Sequence, residues 1–437
     1  MTTVNPPATL EAWLAYLETL HPKAIALGLD RTRAVAQRLG LQLACPVITV
    51  TGTNGKGSTC AMLDAMARAA GYRTVLYTSP HLLRYNERVR IDGEAIDDAR
   101  LVGAFQAVEA ARRAEPAVPL TYFEFGTLAA LRLFAEFDPD LAILEVGLGG
   151  RLDAVNIVDA DVAVITTVDI DHTDYLGPDR DSIGREKAGI LRAGRPAICG
   201  DPAPPPALLE IAETLGAPLA VLGRDFGFVA QERQWRYWKG PHARHGLPVP
   251  ALRGNYQLAN AATAIAALEA LGDRLPVHAG AIRDGLLQVE LAGRFQVLPG
   301  RPTVVLDVAH NPHAARALAA TLGTMGYHPT CLAVVGMLAD KDVGGVLAAV
   351  APRIDHWHVG PLPEPRGAAA PILRDALVSL GVAPTHITLH ESIEAAFVAA
   401  RDRAQPDDRI VVFGSFLTVA AVLPVARARA SSLTSHG

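Results

Sequence analysis

The chain has 437 residues, of which 50% are hydrophobic and 19% charged. This is core material for two or three domains and unlike the apolar-poor, charge-rich composition of disordered chains. The 45 acidic and 40 basic residues leave a net charge of −5 with no Lys/Arg-dense stretch, which argues against a nucleic-acid or polybasic membrane surface. Cys45, Cys60, Cys199 and Cys331 are far apart and form no C-x-x-C pair. A disulfide framework or structural zinc is therefore not expected, and a reducing cytoplasm fits. No run of about 18 apolar residues suggests a membrane span, and the first nine residues lack the basic end and apolar run of a secretory signal.

In chain order, short apolar runs at 46–51, 73–78, 140–146 and 162–168 read as parallel strands covered on both faces. Helical stretches such as 59–70 and 125–137 separate them, which predicts an α/β domain with a mostly parallel sheet. Residues 223–255 differ. Phe226, Phe228, Trp235, Tyr237 and Trp238 are interleaved with charges there, which predicts a small antiparallel hairpin packed on its own aromatics. A helix at 256–271 closes this half. A second α/β series starts near 301, with strands expected at about 303–308, 331–336, 355–359, 386–389 and 409–413. The turn-rich Leu298-Pro299-Gly300-Arg301-Pro302 marks the expected boundary between domains at 1–297 and 298–437.

The strand at 46–51 runs into Gly52-Thr53-Asn54-Gly55-Lys56-Gly57-Ser58 and then a helix. Glycines let backbone N–H groups curl around phosphate oxygens, and the helix N-terminus adds its positive dipole end. Lys56 is positioned to reach β- and γ-phosphates. The pattern departs from G-x-x-x-x-G-K-[ST], because Val50 stands at the first glycine and Gly57 separates Lys56 from Ser58. A nucleotide triphosphate is the expected ligand of Thr53, Asn54, Gly55, Lys56, Gly57 and Ser58.

This variant resembles the phosphate loop of the Mur ligase superfamily of ATP-dependent amide ligases. Further stretches extend the resemblance: Thr78-Ser79-Pro80-His81-Leu82, Leu120-Thr121-Tyr122-Phe123-Glu124, Glu145 to Asp153, Asp171-His172, Gly184 to Ile190, Gly293-Arg294-Phe295, and Asp307 to His313. In this order they resemble the folylpolyglutamate synthases, most closely the bacterial bifunctional dihydrofolate synthase/folylpolyglutamate synthase family, from about residue 10 to about 425. The resemblance implies a P-loop ATPase-like first domain and a Rossmann-like C-terminal α/β domain. It also implies ligation of L-glutamate to dihydropteroate, and to tetrahydrofolate and its derivatives, through an acyl phosphate.

The resemblance further implies roles for particular residues. Ser79 and Glu145 would hold one Mg²⁺ and His172 a second, with Lys187 as a carbamate beside the metal; K⁺ belongs to the same cofactor set. Taken without its motif, Lys187 would read as a solvated charge at the start of a helix. Asn260, Arg294 and Asp307 match nucleotide contacts, and His310 and Ser415 match positions toward the nucleotide and glutamate. Lys56, Glu145, His172, Lys187, Asp307 and His310 form the expected catalytic set. Ala24, Ile25, Ala26 and Leu27, Thr121 to Glu124, and Leu152, Asp153 and Ala154 match positions near the pterin-bearing substrate. Ala26 stands where the family pattern I-D-L-G-L carries Asp, and Asp153 is the candidate to supply the missing acidic group. A cytoplasmic monomer acting on small molecules, with no nucleic-acid or membrane partner, is expected.

Three alternatives stay open at this point. A folylpolyglutamate synthase without the dihydropteroate activity is one. A Mur ligase of cell-wall synthesis is another, although those chains usually carry a separate N-terminal domain and the phosphate loop here begins at residue 52. A nucleotide switch is the third, but no Asn-Lys dipeptide exists for an N-K-x-D base-reading motif.

Overall fold

The computed structural model describes residues 7–23, 25–362 and 366–434. The chain forms two compact units, Met1–Ala251 with Leu258–Val289, and Leu252–Gln257 with Glu290–Gly437.

The first unit holds β1 (Val47–Thr51), β2 (Thr74–Tyr77), β3 (Val89–Ile91), β4 (Glu94–Ala95), β5 (Leu141–Glu145), β6 (Val162–Ile165), β7 (Ala197–Cys199) and β8 (Leu219–Val221). They form one sheet in the order β4-β3-β2-β5-β1-β6-β7-β8. Pairing is parallel from β2 to β8, and antiparallel only where β3 and β4 join. Every residue of β1 and β5 is buried, so their apolar runs are continuous rather than alternating, as a sheet covered on both faces requires. The aromatic segment forms three strands rather than a two-stranded hairpin: β9 (Phe226–Ala230), β10 (Gln234–Lys239) and β11 (His242–Pro248), in the order β11-β10-β9. Phe226, Trp235 and Tyr237 are buried there, and Phe228 meets Trp235 edge-on, so the aromatics pack as core.

The second unit holds β12 (Gln296–Leu298), β13 (Thr303–Leu306), β14 (Cys331–Val335), β15 (His356–Val359), β16 (Ile387–Leu389) and β17 (Arg409–Phe413). Their order is β12-β13-β17-β14-β15-β16, parallel except for the edge strand β12. Helices between successive strands from β13 onward make it a Rossmann-like α/β domain.

Several elements start or stop away from the sequence reading, each for a local reason. The helix after β1 begins at Lys56, not 59, because Gly55 at φ +84° turns the chain directly into it. The helix Tyr122–Phe137 begins three residues early because Thr121 and Glu124 form a reciprocal capping box. The strand expected at 162–168 stops at Ile165, where Thr166 and Thr167 leave the sheet to bond the phosphate loop. All four cysteines are free; Cys60, Cys199 and Cys331 are buried and Cys45 is half-buried. Among the described residues, no helix is long and apolar enough to cross a membrane.

The helix Lys56–Ala69 is backed by the helix Ala279–Gln288, and their closest approach is at Gly285. A Cβ there would lie 2.5 Å from the Met66 Cα and 2.6 Å from its nitrogen. Gly285→Ala would gain about 1 kcal/mol in helix propensity, but main chain cannot yield as a side chain does, and overpacking costs about 1–3 kcal/mol. We expect a net loss of stability, seen as a lower urea midpoint with an unchanged slope; a midpoint equal to or above the parent's would contradict this packing.

Candidate active site

The carboxyl ends of β5, β1 and β6 lie side by side, where the chain reverses its direction of travel through the sheet. In open α/β sheets this is where ligands bind. Between β1 and the helix, residues 52–55 are fastened to the end of β6. Thr53 N–H donates to the Thr167 carbonyl (2.8 Å) and Asn54 N–H to the Thr167 hydroxyl (3.0 Å). The hydroxyls of Thr166 and Thr167 both donate to the Asn54 carbonyl (2.5 and 3.1 Å). Thr53 Oγ1 donates to the Asp169 carbonyl and accepts from the Asp169 amide, both at 2.9 Å. Gly52 has no room for a side chain, since a Cβ would fall 1.8 Å from Thr166 Oγ1.

Lys56 folds over this loop, with Nζ donating to the Gly52 carbonyl at 2.9 Å and the Thr53 carbonyl at 3.4 Å. Gly57 follows in the first helical turn, and Ser58 is buried in it. Asn260, buried on the helix Tyr256–Ala270, packs against the turn: a Cβ on Gly55 would lie 2.6 Å from its Oδ1. The structure thus brings Asn260 to the loop from a distant part of the chain.

Glu145 ends β5 with only 4% exposure. Its Oε2 accepts the Ser79 N–H (3.1 Å) from the segment after β2, so these two residues are brought together. Among the described residues, no group of three or more His, Cys, Asp and Glu side chains could by itself cage a metal. One carboxylate and a serine beside a phosphate loop nevertheless suit Mg²⁺, which keeps waters and takes few protein ligands next to phosphates. His172 is exposed and adopts φ 52°, in the left-handed region. A non-glycine residue there costs about 1–3 kcal/mol and often marks function.

Lys187 is corrected on one count: it lies in the last turn of the helix Arg180–Ala188, not at a helix start. It is 3% exposed. Burial pulls its ammonium down to about 7; the Lys56 charge adds to this and Asp171 opposes it. The helix end is clamped to the loop after β5. Arg151 N–H donates to the Glu186 carbonyl (2.8 Å), and Asn156 Nδ2 donates to the carbonyls of Arg151 and Gly189 (both 3.0 Å).

The remaining acceptor-side residues of this unit form a connected shell. Phe123 lays its ring on Gly147, where a Cβ would come within 2.6 Å of it, and is 6.1 Å from the Tyr77 ring. Tyr122 is half-buried beside Tyr85. Asp153 is buried and accepts the amides of Leu148 and Val155 at 2.9 and 3.0 Å; burial pushes its carboxyl up to about 7 against those bonds. Leu152 is half-buried and Ala154 buried beside it. Ile25, Ala26 and Leu27 are half-buried, and the next residue, Gly28, donates its N–H to the Leu152 carbonyl (3.2 Å). Ala24 lies outside the described residues.

In the second unit, Asp307 follows β13 and Ser415 follows the adjacent β17. Asp307 is 6% exposed and accepts the amides of Phe295 (2.9 Å) and Ala309 (2.8 Å), while burial raises its carboxyl against the nearby Arg294 charge. His310 donates from Nδ1 to the Val308 carbonyl (2.9 Å), and its ring centroid is 6.3 Å from that of Phe416. The Arg294 guanidinium lies over the same phenyl ring at 4.8 Å. Ser415 is buried and accepts the Leu417 amide.

The sequence reading missed the threonine pair that anchors the phosphate loop; two threonines closing a strand were the available signal. It also missed Arg88, whose Nε donates to His81 Nδ1 (2.9 Å) and so leaves the imidazole neutral with its proton on Nε2. No spacing rule links those two residues.

Residues 50–198 match the model of the Mur ligase middle domain, and residues 293–416 that of the Mur ligase glutamate ligase domain. The chain is 46% identical over 430 residues to the dihydrofolate synthase/folylpolyglutamate synthase of Escherichia coli (strain K12), covering 98% of each chain. The solved structure of E. coli FolC in complex with DHPP and ADP superposes with a TM-score of 0.91 at 46% identity, over 97% of this chain and 99% of that one. A bifunctional folylpolyglutamate synthase/dihydrofolate synthase with Mn, AMPPNP and L-glutamate bound gives 0.89 at 47% identity, over 97% and 100%. The chain belongs to the dihydrofolate synthase/folylpolyglutamate synthase family of Mur ligases.

The buried Lys187 has a measurable consequence. With its folded value near 7 and its ordinary value 10.5, the unfolded chain holds this proton more tightly at every pH between the two. Stability should therefore rise with pH across that window and fall as pH drops toward 7. In buffer purged of carbon dioxide, going from pH 7 to 9 should stabilise the parent by about 2 kcal/mol more than Lys187→Met. Parallel urea-unfolding trends for the two proteins would show that burial does not depress this amine.

Proposed function

We propose that the chain joins L-glutamate to dihydropteroate, giving dihydrofolate, and to tetrahydrofolate and its derivatives, extending their glutamate chain, with ATP converted to ADP and phosphate. The observation that carries this is the adjacency of β1 and β5, which sets the Lys56 loop at the end of one strand and Glu145, accepting the Ser79 amide, at the end of the other, in a chain 46% identical to the E. coli enzyme over nearly its full length.

A carboxylate is a poor acyl donor because its leaving group would be oxide. In the proposed reaction the acceptor carboxylate attacks the γ-phosphorus, ADP departs, and an acyl phosphate forms. The glutamate amine then attacks the acyl carbon, loses a proton, and the tetrahedral oxyanion collapses with release of phosphate. The protein's task is to align three anionic groups and neutralise their charge. The backbone amides from Gly55 into the first helical turn and the helix dipole hold the β- and γ-phosphates, with Thr53 and Asn54 shaping the loop through Thr167, and Lys56 leaves its loop carbonyls to meet the γ-phosphate. Asn260, Arg294 and Asp307 bind the nucleotide. His310 and Ser415 orient glutamate. Phe123 and Tyr122 offer flat apolar surface to the pterin, with Ile25, Ala26, Leu27, Leu152, Asp153 and Ala154 around it. Ser79 and Glu145 would hold one Mg²⁺, and His172 with Lys187 a second; when bound, the metals screen the phosphate charge. K⁺ completes the proposed cofactor set.

The second reading, extension of folates alone, is favoured by one residue, because Ala26 offers no carboxylate to pterin nitrogens. Supplying ATP, Mg²⁺ and glutamate with either dihydropteroate or tetrahydrofolate, and identifying products by mass, separates the two. We expect both products from the parent and a loss of at least about 100-fold for Lys56→Ala, the order seen on removing a charge-stabilising contact, with its circular dichroism unchanged. Product from tetrahydrofolate only would establish the second reading, and normal turnover by Lys56→Ala would remove the phosphate-loop role.

Lys187 has the environment a carbamate needs. A buried amine brought down to about 7 is substantially unprotonated at neutral pH and adds to carbon dioxide, forming an N–C bond and releasing one proton. The anionic product replaces a cation that Lys56 repels. We expect ¹³C-bicarbonate to give one carbamate resonance at neutral pH that is absent in Lys187→Met and fades as pH falls below 7. An identical spectrum for the two proteins would remove the carbamate.

A further inference from the structure

We propose that Arg31 is a positioning residue for the pterin-bearing acceptor, acting through the 25–28 segment that it ties to the start of the helix Tyr122–Phe137. The inference rests on the function proposed above and adds to it what holds that segment in place.

Residues 25–28 belong to no helix or strand, so they depend on particular contacts for their position. Arg31 lies in the first turn of the helix Asp30–Leu39 and reaches back to them. Its Nη2 donates to the Ala26 carbonyl at 2.5 Å and to Glu124 Oε1 at 2.8 Å. Its Nε donates to Glu124 Oε1 at 3.1 Å and Oε2 at 3.3 Å. The Glu124 carboxylate is held from the other side as well, since Oε2 accepts the Thr121 N–H at 2.7 Å. The side chains are 28% and 4% exposed, so this pair is shielded from the water that makes surface ion pairs weak. A second tie, Gly28 N–H to the Leu152 carbonyl, joins the segment to the residue before Asp153. Arg31 and Gly28 thus fasten residues 25–28 to 121–124 and 152, the three stretches assigned to the acceptor.

The guanidinium edge formed by Nε and Nη2 is spent on protein acceptors, which makes Arg31 a positioning rather than a catalytic residue. Its fork is what the arrangement needs. Lysine carries a point charge and cannot serve a carbonyl and a carboxylate in one plane. The tie at residue 26 goes to the backbone carbonyl, so it asks nothing of the side chain there. Alanine in place of the family's aspartate leaves it intact.

The test compares the parent with Arg31→Gln and Arg31→Lys in steady-state kinetics and amide hydrogen exchange. For Arg31→Gln, KM for dihydropteroate should rise roughly 10- to 150-fold, the equivalent of one lost charge-assisted hydrogen bond. The kcat and the KM for ATP should stay within about threefold. Arg31→Lys should fall between the two. The Gly28 amide should lose protection while amides of the helix Lys56–Ala69 keep theirs, and saturating dihydropteroate should restore it. Unchanged acceptor KM and unchanged Gly28 protection in both variants would overturn the proposal, as would equal losses in every kinetic constant, which a purely structural ion pair would give. If Arg31→Gln does not fold, Arg31→Lys and its exchange pattern decide alone. Should the parent itself ligate neither acceptor, the functional reading fails; the exchange result still reports on the tie.

Discussion

The contact on which the first unit's chemistry depends is the fastening of a glycine-bearing turn to the end of a neighbouring strand. Residues 52–55 would have no fixed shape as an isolated loop. Thr166, Thr167 and Asp169 impose one, and Gly52 permits it because Thr166 Oγ1 occupies the space a Cβ would need. The order cost of the loop is met in the folded protein before any ligand arrives. The loop's shape is therefore fixed in advance, which is the condition for electrostatic stabilisation without reorganisation.

From this fastening the rest of the shell follows by adjacency in the sheet. β5 lies beside β1, so Glu145 ends next to the phosphate loop, and Thr51 Oγ1 donates to the Gly149 carbonyl (2.6 Å) to fix the following turn. That turn carries Asp153 and is clamped to the end of the helix bearing Lys187. Two ionisable groups, Asp153 and Lys187, are thereby drawn toward neutrality by the same burial, one from each side of pH 7. Sites that handle carboxylates and amines often concentrate such displaced groups, and here the displacement arises from packing that also holds the loop.

The second unit repeats the principle with a different inventory. Its sheet brings the ends of β13 and β17 together, and backbone amides grip Asp307 while Phe416 supports both Arg294 and His310. Aromatic and carbonyl contacts hold the polar side chains in single orientations. This is the second-layer support that a site needs when its charged groups stand close to one another.

Much of the fold was legible from the residues. The continuous apolar runs of β1 and β5 announced strands buried on both faces, because a two-sided sheet removes the need for alternation. The glycine-lysine loop between a strand and a helix announced a phosphate site, because few other uses require that local sequence. Glu145, His172 and Lys187 stood out as candidates through their motifs. What stayed hidden was decided by contacts between residues distant in the chain. Taken without its motif Lys187 reads as a solvated charge, but the fold leaves it 3% exposed at a helix end clamped to the loop after β5. Arg31 reads as one more helix charge until the fold brings Glu124, 93 residues away, against it. Thr166 and Thr167 read as the end of a strand until the loop from residue 52 packs on them. Local sequence determines backbone conformation, capping and burial period, since those depend on neighbours within a few residues. Desolvation, ion pairing and the shape of a loop depend on what lies across the sheet, and only the tertiary structure decides that.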